Sequence, residues 1–314
     1  MKNRFALLCL MIGMVSVYTF AEGPSIEFNA VPDGDGVEVW MDGSLFTAYR
    51  YGRGFDQKSS FYPVIAPNGV VVNREIPFDN AELKKAQDHF HHQSVFLGYG
   101  DIDGLDFWSS AHGERIVHRA FLENPLEGDK GLRVLLDWVD ASGEVIVQEI
   151  RRLEFGGDAD VRWMDHAIEL SSLGKDRAFN DTKEGMFAIR LTDELREDKG
   201  TGRYINAFGW ETEKEIWGKR APWVALRGSV GEKPVTVAIF DHTSSASYPA
   251  YWHARAYGLF SINPFGRKDF QKGSTPLDTK LKAGDSLKFR YRIVIYSGQV
   301  DKKRIDQDYW DYIN

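Results

Sequence analysis

The stretch Asp88-His89-Phe90-His91-His92 puts three of the chain's eight histidines and a carboxylate within five positions. Imidazole titrates near neutral pH and is the commonest metal ligand, so such a cluster serves proton transfer or metal binding. On a strand, His89 and His91 would share one face. A hydrogen-bonded polar rim on a sheet is the plainer alternative.

A second stretch, Asn180-Asp181-Thr182-Lys183-Glu184-Gly185, packs two acids and a base into a turn-like run ahead of the apolar segment Met186 to Leu191. Taken alone it reads as a solvated hairpin loop. Trp217-Gly218-Lys219-Arg220 sets an aromatic plate beside two cations, a pattern that surface turns also show. Further on, Phe240-Asp241-His242, Tyr251-Trp252-His253-Ala254-Arg255 and Asn263-Pro264-Phe265-Gly266 bring aromatics, imidazoles and a guanidinium together repeatedly. Aromatic rings stack on the C–H faces of sugars while Arg, Asp, Asn and His bind hydroxyls, so the mixture suits a carbohydrate. The competing account is an aromatic core with Arg255 reaching out to water.

The elements that must hold these residues are mainly strands. Leu287, Phe289, Tyr291, Ile293 and Ile295 alternate with Lys288, Arg290 and Arg292, a pattern with one buried and one wet face. Gly36 to Trp40 and Ser44 to Tyr51 flank Asp42-Gly43, and Leu132 to Val139 and Glu144 to Phe155 flank Asp140 to Gly143, so both pairs read as hairpins. Val161 to Leu170 and Val235 to Phe240 add strands. Helical signals are confined to Asn80 to Gln87 and to a C-terminal segment from Lys302, capped by Asp301. With no repeat, low-complexity tract or linker, residues 22–314 read as one all-β domain, a large antiparallel β-sandwich with few short helices.

Composition narrows the function classes. Lys2 and Arg4 precede an apolar run from Phe5 to Val17, and Thr19 and Ala21 are small residues suited to cleavage, so residues 1–21 read as a signal peptide and the mature chain as periplasmic or secreted. Its removal takes away two positive charges and no acid, moving the net charge from −7 to −9. That sign disfavours nucleic acid. Cys9, the single cysteine, would leave with the leader, so the mature chain has neither disulfide nor thiolate metal site. No later apolar run is long enough for a membrane span.

Read in order, Asp88 to His92, Gly100-Asp101-Ile102-Asp103-Gly104-Leu105-Asp106-Phe107-Trp108, Asp181 to Gly185, Trp217 to Arg220, Phe240 to His242, Tyr251 to His253 and Asn263 to Gly266 resemble the motifs of the DUF6807 family. The resemblance runs from about Tyr62 to the C-terminus. Two positions depart from the family pattern, Phe90 where Pro is common and Gln93 where Arg or Lys is common. The family also carries the label "methane oxygenase PmoA", but a chain with no membrane span after its leader does not fit methane oxidation by a membrane enzyme. The resemblance implies a galactose mutarotase-like supersandwich, a fold that alone fixes no function.

Together these readings favour an exported carbohydrate-active protein, an acid/base enzyme of the epimerase, lyase or hydrolase type. His91 or His253 is the expected general acid and Glu184 or Asp181 the expected general base. Lys183, Lys219 and Arg255 would hold hydroxyls, a carboxylate or a developing oxyanion, with His89, His92, Trp217, Asp241, His242, Trp252 and Asn263 as further sugar contacts. The alternatives are a non-catalytic glycan-binding protein, and a metal enzyme whose sphere joins His89 and His91 to His242 or His253. The favoured reading requires no cofactor and no metal.

Overall fold

The computed structural model describes residues 23–32, 35–52, 57–76 and 88–314. The leader reading and the helix expected over Asn80 to Gln87 both lie outside the described residues.

Along the chain the first strands are Ile26–Ala30 (β1), Asp35–Met41 (β2), Ser44–Tyr51 (β3), Ser60–Val64 (β4) and Val95–Tyr99 (β5). Arg115–Glu123 (β6), Leu132–Val139 (β7), Val145–Gly157 (β8), Val161–Ser171 (β9), Arg177–Phe179 (β10) and Gly185–Arg190 (β11) follow. The last are Arg203–Asn206 (β12), Trp223–Val230 (β13), Lys233–Asp241 (β14), Tyr251–Ala254 (β15), Leu259–Asn263 (β16), Thr279–Leu281 (β17) and Ser286–Ser297 (β18). They form two eight-stranded sheets, ordered β1-β2-β3-β4-β5-β11-β16-β15 and β12-β13-β14-β18-β9-β8-β7-β6, plus a small β10-β17 pair. The protein is thus a large all-β antiparallel sandwich.

Both expected hairpins form. Asp42 and Gly43 adopt φ of 49° and 71°, the left-handed pair that a tight two-residue turn needs to match strand twist. β18 alternates over its first half only, because the C-terminal helix (Lys302–Ile313) covers its second half. Val294 and Tyr296 there pack with Ile305, Tyr309 and Tyr312. Asp301 caps that helix by accepting from the Arg304 amide at 2.9 Å.

Between the sheets lies one extended apolar core, including Leu97, Phe187, Trp252, Phe260 and Ile262 from the first sheet and Trp138, Val147, Met164 and Ile293 from the second. It also encloses charge. Glu149 and Arg151, two residues apart on β8, pair at 2.6 Å with 0% and 1% exposure, and the Trp138 indole donates to the Glu149 carboxylate at 2.8 Å. His166 on β9 is equally buried between Phe61 and Phe187, with neither ring nitrogen hydrogen-bonded among the described residues. Burial first, then Arg151, holds it well below the usual imidazole range, so it is neutral.

Glu149→Ala leaves a buried guanidinium unanswered and should cost about 3–5 kcal/mol in urea denaturation. The double variant Glu149→Leu/Arg151→Met, which buries no charge, should recover most of that loss. An equal loss in both would assign the effect to packing and to the Trp138 indole left without its acceptor.

Candidate functional site

The outer face of the first sheet, turned away from the main core, has its own floor. Strand register aligns Phe96, Ala188, Ser261 and His253 in one row across β5, β11, β16 and β15. Phe96, Ala188 and Leu259 form a separate apolar cluster with Trp108, and Tyr257 packs on its edge. The Phe107–Trp108 segment lies directly on the sheet at Gly98, where a Cβ would stand 2.7 Å from the Phe107 carbonyl oxygen. Fully buried Lys58 pins this segment, its ammonium donating to the Phe107 carbonyl at 3.2 Å and to that of Trp108. Burial draws the Lys58 pKa down to about 7, against the pull of Asp106.

At one end of this floor stands the histidine cluster. Residues 88–92 form bends and a turn, not the strand that would align His89 with His91. The reason is Arg74, whose guanidinium donates to the carbonyls of Asp88 and His89 at 3.0 Å and to that of His92 at 3.5 Å, curling the segment around one cation. Asp88 Oδ1 also accepts from Arg74 at 2.8 Å and from Arg190 at 2.6 Å. Burial pushes the Asp88 carboxyl up, but Arg190 and Arg74 outweigh it and hold the group below its ordinary range. Arg190, fully buried on β11, donates its other terminal nitrogen to His92 Nδ1 at 3.3 Å and lies 4.9 Å over the Tyr257 ring. Guanidinium only donates, so His92 Nδ1 accepts and its proton resides on Nε2. Burial, then His91 and Arg190, keeps His92 neutral. Burial, then Lys58, lowers His91 to about 4.

At the other end, the Trp217 indole donates to His253 Nδ1 at 3.1 Å. Indole N–H is likewise only a donor, so His253 also carries its proton on Nε2. That nitrogen faces Glu184 Oε2 across 3.9 Å. Burial, then Arg255 and Lys183, depresses His253 to about 3, so the pair is a neutral donor facing an acid and not an ion pair. Glu184 itself pairs with Lys183. Tyr257 and Arg255 connect the two ends. His89 stacks on Tyr257 with centroids 5.1 Å apart, and Arg255, paired with Glu213 at 2.6 Å, lies 5.3 Å over Tyr257 and 5.9 Å over Trp217.

His89, His91, His92, Lys183, Glu184, Trp217, His253 and Arg255 therefore gather on one face. Asp181, Asn263, Trp252, Asp241 and His242 do not join them. The Asp181 carboxylate accepts from the amides of Arg267 and Leu277 at 2.8 and 2.6 Å and from that of Lys268, which ties down a loop and leaves it no substrate to face. Asn263 caps the turn at Phe265 and Gly266, and Trp252 points into the main core and donates to the Ala221 carbonyl. Asp241 belongs to the second sheet, where it holds the Ala250 amide at 2.9 Å and burial lifts it to about 7. His242 lies beside Arg290 and Tyr312, under the C-terminal helix. Lys219 is exposed and its backbone pairs with Trp252. His89 and His91 thus do not converge with His242, and no group of three potential metal ligands occurs among the described residues.

Lys58, Arg74, Arg190 and Tyr257 were not legible as site residues. Arg190 alone left a trace, as the one charge in the otherwise apolar run Met186 to Leu191.

A family model described as "Family of unknown function (DUF6807)" matches residues 36–310. The chain belongs to this family. A comparison with curated proteins returns no match. Among solved structures, this DUF6807 member is similar to the GH36 α-galactosidase AgaA of Geobacillus stearothermophilus (10% identity, TM-score 0.43, covering 88% of this chain and 41% of that one). It is also similar to a polysaccharide lyase (10%, TM-score 0.39, covering 91% and 34%) and to a glycoside hydrolase family 97 enzyme of Pseudoalteromonas sp. strain K8 (10%, TM-score 0.35, covering 88% and 34%). The chain spans about a third to two fifths of these proteins. Superpositions this loose transfer no site residue and no activity.

His92, His166 and His253 are neutral when folded and take up a proton near pH 6.5 when unfolded. Stability should therefore be full above about pH 6.5 and fall as pH drops from there toward the depressed folded values, because the unfolded chain then binds more protons. Denaturation midpoints at pH 7.5 and 5 check this. Nitrogen NMR of labelled imidazole should show His253 as the Nε2–H tautomer at both, and Trp217→Phe should release that preference.

Proposed function

We propose that this protein is an exported carbohydrate-active enzyme that works by acid/base chemistry on the outer face of the first sheet. One observation carries the reading. A hydrogen-bond donor of fixed tautomer, His253 Nε2–H, faces a carboxylate, Glu184, across 3.9 Å beside the indole plate of Trp217. Trp217 offers a ring face for a sugar, and Lys183 and Arg255 offer donors for its hydroxyls. The leader-like composition of residues 1–21 supports export.

The chemistry divides unequally between the two groups. Glu184 is the base that removes a proton from the sugar. His253, neutral above about pH 3, delivers a hydrogen bond to the oxygen on which negative charge develops, a task suited to a neutral imidazole. This refines the expected role of His253 as general acid, since a neutral imidazole gives up its proton poorly. Epimerisation and β-elimination, which need proton removal beside a stabilised oxyanion, fit this pair better than hydrolysis, which needs a strong acid at the leaving group.

Product analysis by NMR across a panel of aldoses, glycosides and oligosaccharides tests the reading. Glu184→Gln should reduce kcat/KM on any substrate found by about 10²–10⁴ with little change in binding. The wild-type pH–rate profile should show no limb belonging to His253 between pH 5 and 8. Binding of glycans without turnover of any would instead favour a non-catalytic glycan receptor.

A further inference from the structure

The end of the site around His91 and His92 is positively charged, in a chain whose net charge is −7. Arg74 and Arg190 are buried, with 9% and 0% side-chain exposure, and among the described residues the carboxylate bonded to both is that of Asp88, through the single oxygen Oδ1. Lys58, a buried ammonium whose pKa burial draws down to about 7, bonds among the described residues to two backbone carbonyls and lies 5.1 Å from the Phe96 ring centre. The carboxylate that acts on it, Asp106, is held in place by the amides of Trp108 and Ser109 and the Ser109 hydroxyl. Asp193, behind the arginines, is 76% exposed and belongs to a surface group with Arg196 and Asp198. Among the described residues, this lobe therefore sets two buried guanidiniums against one carboxylate, that of half-exposed Asp88. Burying an unanswered charge is costly, and a site that awaits an anion is where a fold carries that cost.

Uncharged donors repeat the pattern. His92 presents Nε2–H because Arg190 occupies Nδ1. The Trp108 indole N–H, buried and packed edge-on against His92 at 5.6 Å, has no acceptor among the described residues.

We propose that this lobe receives the carboxylate of an acidic sugar, so that the substrate carries a uronic acid residue. The inference rests on the carbohydrate reading above and names its substrate class. The sugar ring lies toward His253 and Glu184, and its carboxylate reaches His89 and His91, the more exposed imidazoles, over the field of Arg74 and Arg190. With Lys58 set against Asp106 and the two arginines against Asp88, one positive charge is in excess among the described residues, which matches a monoanionic carboxylate better than a phosphate dianion. Asp88 is then the internal carboxylate that shares these cations with the ligand.

Calorimetric titration of the full chain with matched methyl glycosides and methyl glycosiduronates of the gluco, galacto and manno series, and with the corresponding 6-phosphates, tests this. In at least one series the uronate should bind about tenfold tighter than its neutral partner, and added salt should shrink the difference. Asp88→Asn should raise the uronate-to-glycoside affinity ratio, and Arg190→Gln should lower it. If Arg190→Gln fails to fold, His91→Phe, which removes a donor and no charge, should lower the ratio in its place. Neutral glycosides binding as well as or better than uronates in every series would overturn the inference while leaving the carbohydrate reading in place. A preference for the 6-phosphates, or a ratio that falls in Asp88→Asn, would overturn the carboxylate assignment. Failure of the whole panel to bind would remove both readings.

Discussion

The candidate site depends on the need to answer one buried charge. Arg190 sits at the end of β11 with its guanidinium fully buried, where an ion without partners would cost several kcal/mol. Its answers come from far along the chain: Asp88, the imidazole of His92 and the ring face of Tyr257. Satisfying Arg190 therefore brings the histidine segment and the turn after β15 onto the same sheet face. Arg74 adds the finer shape by gathering three carbonyls of residues 88–92 around itself.

A second regularity follows from donor chemistry. His92 and His253, about 160 residues apart in sequence, each have Nδ1 occupied by a group that can only donate, a guanidinium in one case and an indole in the other. Both present Nε2–H, and both are neutral over the ordinary pH range. These two imidazoles can thus give hydrogen bonds to oxygen without changing their own charge near neutral pH. Preorganised dipoles of this kind stabilise developing charge without reorganising during the reaction.

Much of the fold was legible because strand periodicity and turn chemistry are local. Alternation of Leu287 to Ile295 and the Asp42-Gly43 turn specify their elements without reference to anything distant. The site was legible by residue type and less so by role. His253, Glu184, Trp217 and Arg255 could be picked out as a sugar-compatible mixture, but Asp181, Asn263 and Asp241 have the same chemistry and spend it on backbone amides. Sequence shows the donor and acceptor inventory; only the fold shows which groups are already engaged. Lys58, Arg74 and Arg190 were missed for the converse reason. Each is an isolated cation whose partners come from elsewhere in the chain. The 88–92 segment misled in conformation because its shape is set by Arg74 and not by its own propensities.

Gly98 bears on how such a site could diversify. The Phe107–Trp108 segment lies so close to the sheet that a single methyl group at position 98 would meet the Phe107 carbonyl. The height of this roof above the sheet is thereby fixed by the absence of one carbon atom. A side chain there would lift the segment and with it the carbonyls that hold Lys58, changing the depth of the floor and its charge in one step. Position 98 is in that sense a coarse adjustment screw, one that acts on the floor while leaving every histidine and arginine in place.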